Sequence, residues 1–218
     1  MYLVVRDILP PELLQVIRDR YLAGVADAEA TFSLNEAEED SLTGALGQSL
    51  ATVSPQIMFT SQGMFSWRIY HWKVRGRGAA APEKRFGTDG IFQIEVFASD
   101  GHLIRAKGLP FQAKKNWRQA NRKLFDQAKD MRRELGGGII INYSANDYKA
   151  CSVEDVIEYG SRPKGLADKG ALKPLGQLLG SDFLDCKLGS IGLTYSHQTE
   201  KFFPRDVVGT VIEQKKIE

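Results

Sequence analysis

The stretch from residue 117 to 143 constrains the fold more than any other. Leu124, Ala128, Met131 and Leu135 recur at i, i+4, i+7 and i+11, so they line one face of a long amphipathic helix, and Gly136-Gly137-Gly138 supplies its C-terminal stop. Ile139-Ile140-Ile141 follows at once and continues to Tyr143 as a buried strand. Upstream, residues 91–98 and 103–106 flank Ser99-Asp100-Gly101-His102, a hairpin turn, and a third short strand over 109–114 follows Gly108. Strands, a helix and a further strand in that order are accommodated most economically by an α/β sheet with a helical crossover.

Pro10 and Pro11 open a first helix whose Leu13, Leu14, Ile17, Tyr21 and Leu22 stop before Gly24. Asn35 and Glu38 have the capping-box spacing, and Leu42, Ala45, Leu46 and Leu50 form a stripe, which predicts a second helix over 36–50. Aromatic and β-branched residues over 56–74 read as strand. Residues 75–82 read as a basic loop and 152–159 as a short helix. Segments 175–179, 186–194 and 207–212 are either further strands of the same sheet or a small cap. At 218 residues with 43% hydrophobic content, the chain can bury one sizeable core but not two full domains. The expected division is a core over 1–150 with a C-terminal extension over 151–218 packed on it.

Cys151 and Cys186 lack the paired spacing of a zinc site and are read as buried thiols. The apolar start, residues 1–5, is cut by Arg6 and Asp7, and no run reaches the length of a membrane span, so a cytoplasmic protein without a membrane partner is expected. The net charge of +2 averages unlike parts. Acidic residues concentrate over 27–40, while 73–85 and 114–133 are strongly basic.

The chemistry centres on Gly87-Thr88-Asp89 at the hairpin entry and Gln112-Ala113-Lys114 on the following strand. Gln112 and Lys114 share a strand face, about 7 Å apart, whereas Glu95 lies roughly 20 Å along the strand from Asp89 and cannot join it at one metal ion. On the second helix, at about 100° per residue, Glu38 and Glu39 flank the apolar stripe and Asp40 faces solvent. A carboxylate on a buried helix edge is costly without a cation or donor beside it.

A helix-borne Glu, G-x-D at a hairpin, Q-x-K on the next strand, then an amphipathic helix and an apolar strand resemble the PD-(D/E)XK restriction-endonuclease-like superfamily. The Gln variant is similar to that of Mrr-type nucleases. The likeness covers about residues 35–143, and Glu39-Asp40-Ser41-Leu42-Thr43-Gly44 favours Glu39 over Glu38. It implies an α/β restriction-endonuclease-like core with a mixed central sheet flanked by helices. It also implies a Mg²⁺-dependent endonuclease, with Mn²⁺ as a substitute, that hydrolyses phosphodiester bonds of DNA in restriction or phage defence. Asp89 would bind metal, Gln112 would take the second acidic position, Lys114 would be the catalytic lysine and Glu39 the accessory carboxylate. With a neutral Gln112, the ion would lean on Asp89, Glu39 and the Ala113 carbonyl. Glu83 is a weaker supporting candidate.

Arg75, Arg77, Lys115, Arg118 and Arg122 adjoin this site as candidate phosphate contacts. Trp72 and Trp117 are candidates for base stacking, with a core role favoured. No G-x-S-x-G or Walker motif occurs, and His71, His102 and His197 have no close ligand partners in the sequence. Two other functions fit the residues: a catalytically silent nucleic-acid-binding module on the same fold, and a protein whose basic helix docks an acidic partner. Cutting both strands with one site per chain implies a homodimer, and a defence role implies a partner protein.

Overall fold

The structure, a computed structural model, describes residues 5–74, 86–195 and 204–216. Helices α1 (Val5–Ile8), α2 (Pro11–Ala30), α3 (Phe32–Asn35) and α4 (Glu39–Leu50) come first. Strands β1 (Gln56–Thr60), β2 (Gly63–Lys73), β3 (Gly90–Phe97) and β4 (Leu103–Lys115) follow, then α5 (Arg122–Leu135), β5 (Ile139–Tyr143), β6 (Tyr148–Ser152), α6 (Val153–Tyr159) and α7 (Pro163–Asp168). The remainder comprises β7 (Lys173–Pro174), α8 (Leu175–Gln177), a π-helical turn (Leu178–Phe183), β8 (Ser190–Ile191) and β9 (Asp206–Lys215).

These strands form one mixed sheet in the order β1-β2-β9-β3-β4-β5-β6-β7, with β8 paired to β4. The crossover expected from the sequence is present: β4 runs through α5 into β5, which lies parallel to it. Helix α5 starts on Asn121, whose side chain accepts from the Leu124 N–H, and stops at Gly136 in the left-handed region. Leu124, Ala128 and Met131 are fully buried, and full burial of Leu or Met contributes about 1.5 to 3 kcal/mol each. Together with α6 and α7 this helix covers Ile140 and Cys151 on one sheet face. Helices α2 and α4 cover the other, over Phe92, Phe111, Ile141 and Val208.

Two glycines expected to end elements do not. Helix α2 passes through Gly24, where an added Cβ would lie 2.8 Å from Leu50, so the small residue lets α2 approach the end of α4. Strand β4 runs unbroken through Gly108, merging the two strands expected there, because a Cβ would meet the Leu193 carbonyl at 2.2 Å. Pro110, within that same strand, sits between the residues paired to β8 and those paired to β5, where its missing N–H costs no ladder bond.

The capping box expected at Asn35 and Glu38 is not formed. Asn35 donates to the Thr31 carbonyl and closes α3 instead, and α4 begins at Glu39 without a side-chain cap. Of the two placements open for the C-terminal segments, residues 206–215 take the sheet. Strand β9 is inserted between β2, antiparallel to it, and β3, parallel to it. The extension expected over 151–218 therefore contributes a central strand, which the Tyr21 hydroxyl secures to α2 by a 2.7 Å bond to Thr210. Cys151 is buried as expected, but Cys186 is only partly so. Among the described residues no helix is long and apolar enough to cross a membrane.

Candidate functional site

The sheet is uneven at one end. Strands β3 and β9 begin level with each other at Gly90 and Asp206, opposite Phe111, whereas β4 continues with β5 as far as Lys115. Beyond Phe111 the edge of β4 that faced β3 has lost its partner strand, and the N–H groups of Ala113 and Lys115 point into the resulting notch. Two carboxylates occupy it. Asp89 Oδ2 accepts the Ala113 N–H at 2.9 Å, and Glu39 Oε2 accepts the Lys115 N–H at 3.0 Å. Each takes the place of a missing backbone carbonyl, satisfying donors that would otherwise be costly to leave unpaired.

Gly87 makes this placement possible. Its φ is +68°, and an added Cβ would lie 2.5 Å from the Gln127 carbonyl, so the chain turns tightly under α5 before Asp89. Thr88 holds the turn by donating to the Gly90 and Phe111 carbonyls, at 2.9 and 2.8 Å. Asp89 is 5% exposed. Glu39 is held by the start of α4, where the helix dipole also favours a negative charge.

The four residues expected at the site are brought together. Lys114 Nζ donates to Glu39 Oε1 at 3.2 Å. Gln112, fully buried, turns its amide nitrogen to Asp89 Oδ2 and to the Ala113 carbonyl, while its oxygen accepts from Gln127 of α5. It stands beside Asp89 and clamps the aspartate as a donor. The Ala113 carbonyl lies on the same edge of β4 as its N–H, so the three expected metal ligands line one notch.

Sequence reasoning missed a second set of residues. Asp40, expected to face solvent, pairs with Arg205 and, at 3.4 Å, with Lys73. Arg205 also lies 3.7 Å from Asp89 Oδ1, and its backbone N–H and that of Asp206 both donate to the Asp89 carbonyl. His71, read as lacking partners, has Nε2 2.9 Å from Asp206 Oδ1 and Nδ1 3.2 Å from Gln48. The phenol of Tyr143 lies beneath the site, 3.2 Å from the Thr43 hydroxyl. Burial pushes its pKa well up, the Thr43 bond opposes this, and the negative charges of Tyr148, Asp89 and Asp206 add to it.

The donor set is all oxygen: the Asp89 and Glu39 carboxylates and the Ala113 carbonyl. That is the chemistry of a hard cation such as Mg²⁺, which takes one or two carboxylates and keeps waters. One further oxygen, Asp206 Oδ2, is buried and has no hydrogen-bond partner among the described residues. The residues therefore fit a divalent cation by type, although among the described residues no three His, Cys, Asp or Glu side chains are already gathered around one point.

The basic residues divide. Arg75, Arg77 and Glu83 lie outside the described residues. Lys115 Nζ is engaged by the Glu36 and Ala37 carbonyls, at 2.7 and 3.4 Å, so it ties down the approach to α4. Arg118 is exposed and lines a groove of about 380 Å³ with Lys114, Lys115 and Trp117. Arg122 pairs with Asp126, and Arg133 with Asp130 and Glu134, so part of the basic charge of α5 is matched on the helix itself. Trp117 is buried, its indole N–H donating to the Gln119 and Ser161 carbonyls, and has the core role.

No protein-family model, curated protein or solved structure matches this chain.

Proposed function

We propose that the chain is a Mg²⁺-dependent endonuclease with a restriction-endonuclease-like core, hydrolysing phosphodiester bonds of DNA in restriction or phage defence. One observation carries the reading: Asp89, Glu39, the Ala113 carbonyl and Lys114 meet at the stretch of β4 edge that β3 leaves open. When bound, Mg²⁺ or Mn²⁺ supplies Lewis-acid polarisation of a phosphoryl oxygen and a water of lowered pKa. Asp89 and Glu39 hold that charge, each fixed by a backbone N–H of β4. Gln112, locked by Gln127, keeps Asp89 from rotating away. Lys114, released from Glu39, orients the attacking water or stabilises charge on the phosphate. Arg118 in the adjoining groove contacts the polynucleotide backbone. A homodimer places one site on each strand.

Supercoiled plasmid with Mg²⁺ is the test. Nicking or linearisation by the wild type and its loss in Asp89→Ala and Lys114→Ala are expected, and cleavage that survives both substitutions would remove this site from the chemistry. The catalytically silent module has one observation in its favour, the Gln112 amide nitrogen on the oxygen where a ligand is wanted. It predicts salt-dependent binding of DNA with no cleavage under any metal.

A further inference from the structure

Asp206 is 1% exposed, and only one of its carboxylate oxygens is accounted for. Oδ1 is held by His71, whose ring lies under α4 so closely that a Cβ on Gly47 would come within 2.4 Å of it. Oδ2 has no hydrogen-bond partner among the described residues. A buried carboxylate oxygen without a donor is costly, and such a group persists where something outside the chain completes it. Its surroundings say what. Strand β9 lies between β2, which supplies His71 to Oδ1, and β3 on its other side. There Asp206 stands in parallel register with Gly90, and its N–H donates to the Asp89 carbonyl at 3.1 Å. Tyr143 lies near enough to both carboxylates for each to raise its pKa, behind the larger effect of burial. A second buried carboxylate, joined to Asp89 through its own backbone N–H, calls for a cation.

We propose that Asp206 is a second carboxylate ligand of a divalent-cation site shared with Asp89, with His71 as the residue that positions it. This rests on the cation reading above and supplies the acidic group that the neutral Gln112 does not. Strand β9 delivers it from the far end of the chain, through its insertion beside β3.

Mn²⁺ binding to the full chain, read by electron paramagnetic resonance, tests this beside thermal unfolding in chelator. Asp206→Asn is expected to weaken Mn²⁺ binding by more than the roughly 10 to 100-fold typical of losing a partner behind a ligand, to reduce sharply the rise in melting temperature that Mn²⁺ causes, and to leave the metal-free melting temperature equal or higher. His71→Ala is expected to weaken Mn²⁺ binding by a smaller factor, partly restored in His71→Gln, which keeps a donor. If Asp206→Asn binds Mn²⁺ as the wild type does while Asp89→Asn does not, the proposal fails and the cation reading stands. If the wild type binds no Mn²⁺, both fail. Should Asp206→Asn not fold, Mn²⁺-soaked wild-type crystals decide: anomalous density ligated by Asp206 Oδ2 supports the proposal, and density on Asp89 and Glu39 alone overturns it.

Discussion

Two ionisable side chains are buried to the same depth in this sheet, and they are treated in opposite ways. Lys107, in the middle of β4, is fully buried, donates to the Phe183 carbonyl and sits 4.7 Å over the Phe183 ring. Burial lowers its pKa, with Cys186 and Asp185 pulling the other way. Its surroundings come from one compact segment, the π-helical turn and the residues just after it. Asp206 is as deep, yet keeps an oxygen without a donor among the described residues. The difference follows from position: Lys107 lies within β4, between Ile94 of β3 and Ile191 of β8, whereas Asp206, also paired on both sides, is the first residue of β9, at the row where β3 and β9 start and β4 runs on with β5. A buried charge completed by its own chain belongs to the fold, whereas the one left incomplete at the break in the sheet is where we place the proposed cation.

Substitutions can break that contrast. The largest expected effect is Lys107→Ala, which leaves the Phe183 carbonyl buried without its donor and opens a cavity. It should cost about 3 kcal/mol in urea unfolding, with the Mn²⁺ affinity unchanged; a loss of affinity would mean that the two regions are coupled. Gln112→Glu comes next. It sets a second carboxylate against Asp89 and should lower metal-free stability by about 2 kcal/mol, with Mg²⁺ restoring most of it in a melting experiment. Gly47→Ala drives a methyl group into the His71 ring and should cost about 1 to 2 kcal/mol while weakening Mn²⁺ binding, as calorimetry would show.

The smallest effect is at Glu95 of β3, which is paired with Ala106 and bonded to Gln93. Its pKa is raised above 4.5 by burial, against the opposing Gln93 bond. Between 4.5 and that raised pKa the folded chain holds a proton that the unfolded chain has lost, so stability falls as pH rises through the folded-state pKa. Glu95→Gln should therefore be more stable than the wild type at neutral pH. The difference should vanish below pH 4.5 in urea titrations at the two pH values.

What the sequence shows and what it hides divide along the range of the interactions. The hairpin at 99–102 and the helix carrying Leu124, Ala128, Met131 and Leu135 are legible because their signals are periodic and local. Gly24 and Gly108 mislead because a glycine that permits close packing looks the same as one that ends an element. Asp89, Gln112 and Lys114 stand in local segments around the hairpin and crossover, whereas helical geometry left Glu38 and Glu39 alike and only the resemblance singled out Glu39. Asp206 could not be picked out, since its partner His71 lies 135 residues away and strand pairing over that distance leaves no periodic trace. Asp40 was misjudged for a related reason. Helical geometry gives the direction of its side chain but not the Arg205 that β9 brings to meet it.

Cleavage of supercoiled plasmid over a series of Mg²⁺ concentrations, with wild type and Lys114→Ala side by side, tests the central claim most directly. Metal-dependent nicking or linearisation by the wild type, reduced at least about 100-fold in Lys114→Ala and stopped by chelator, is the predicted result. Intact plasmid at every Mg²⁺ and Mn²⁺ concentration, or equal cleavage by the two proteins, would contradict it.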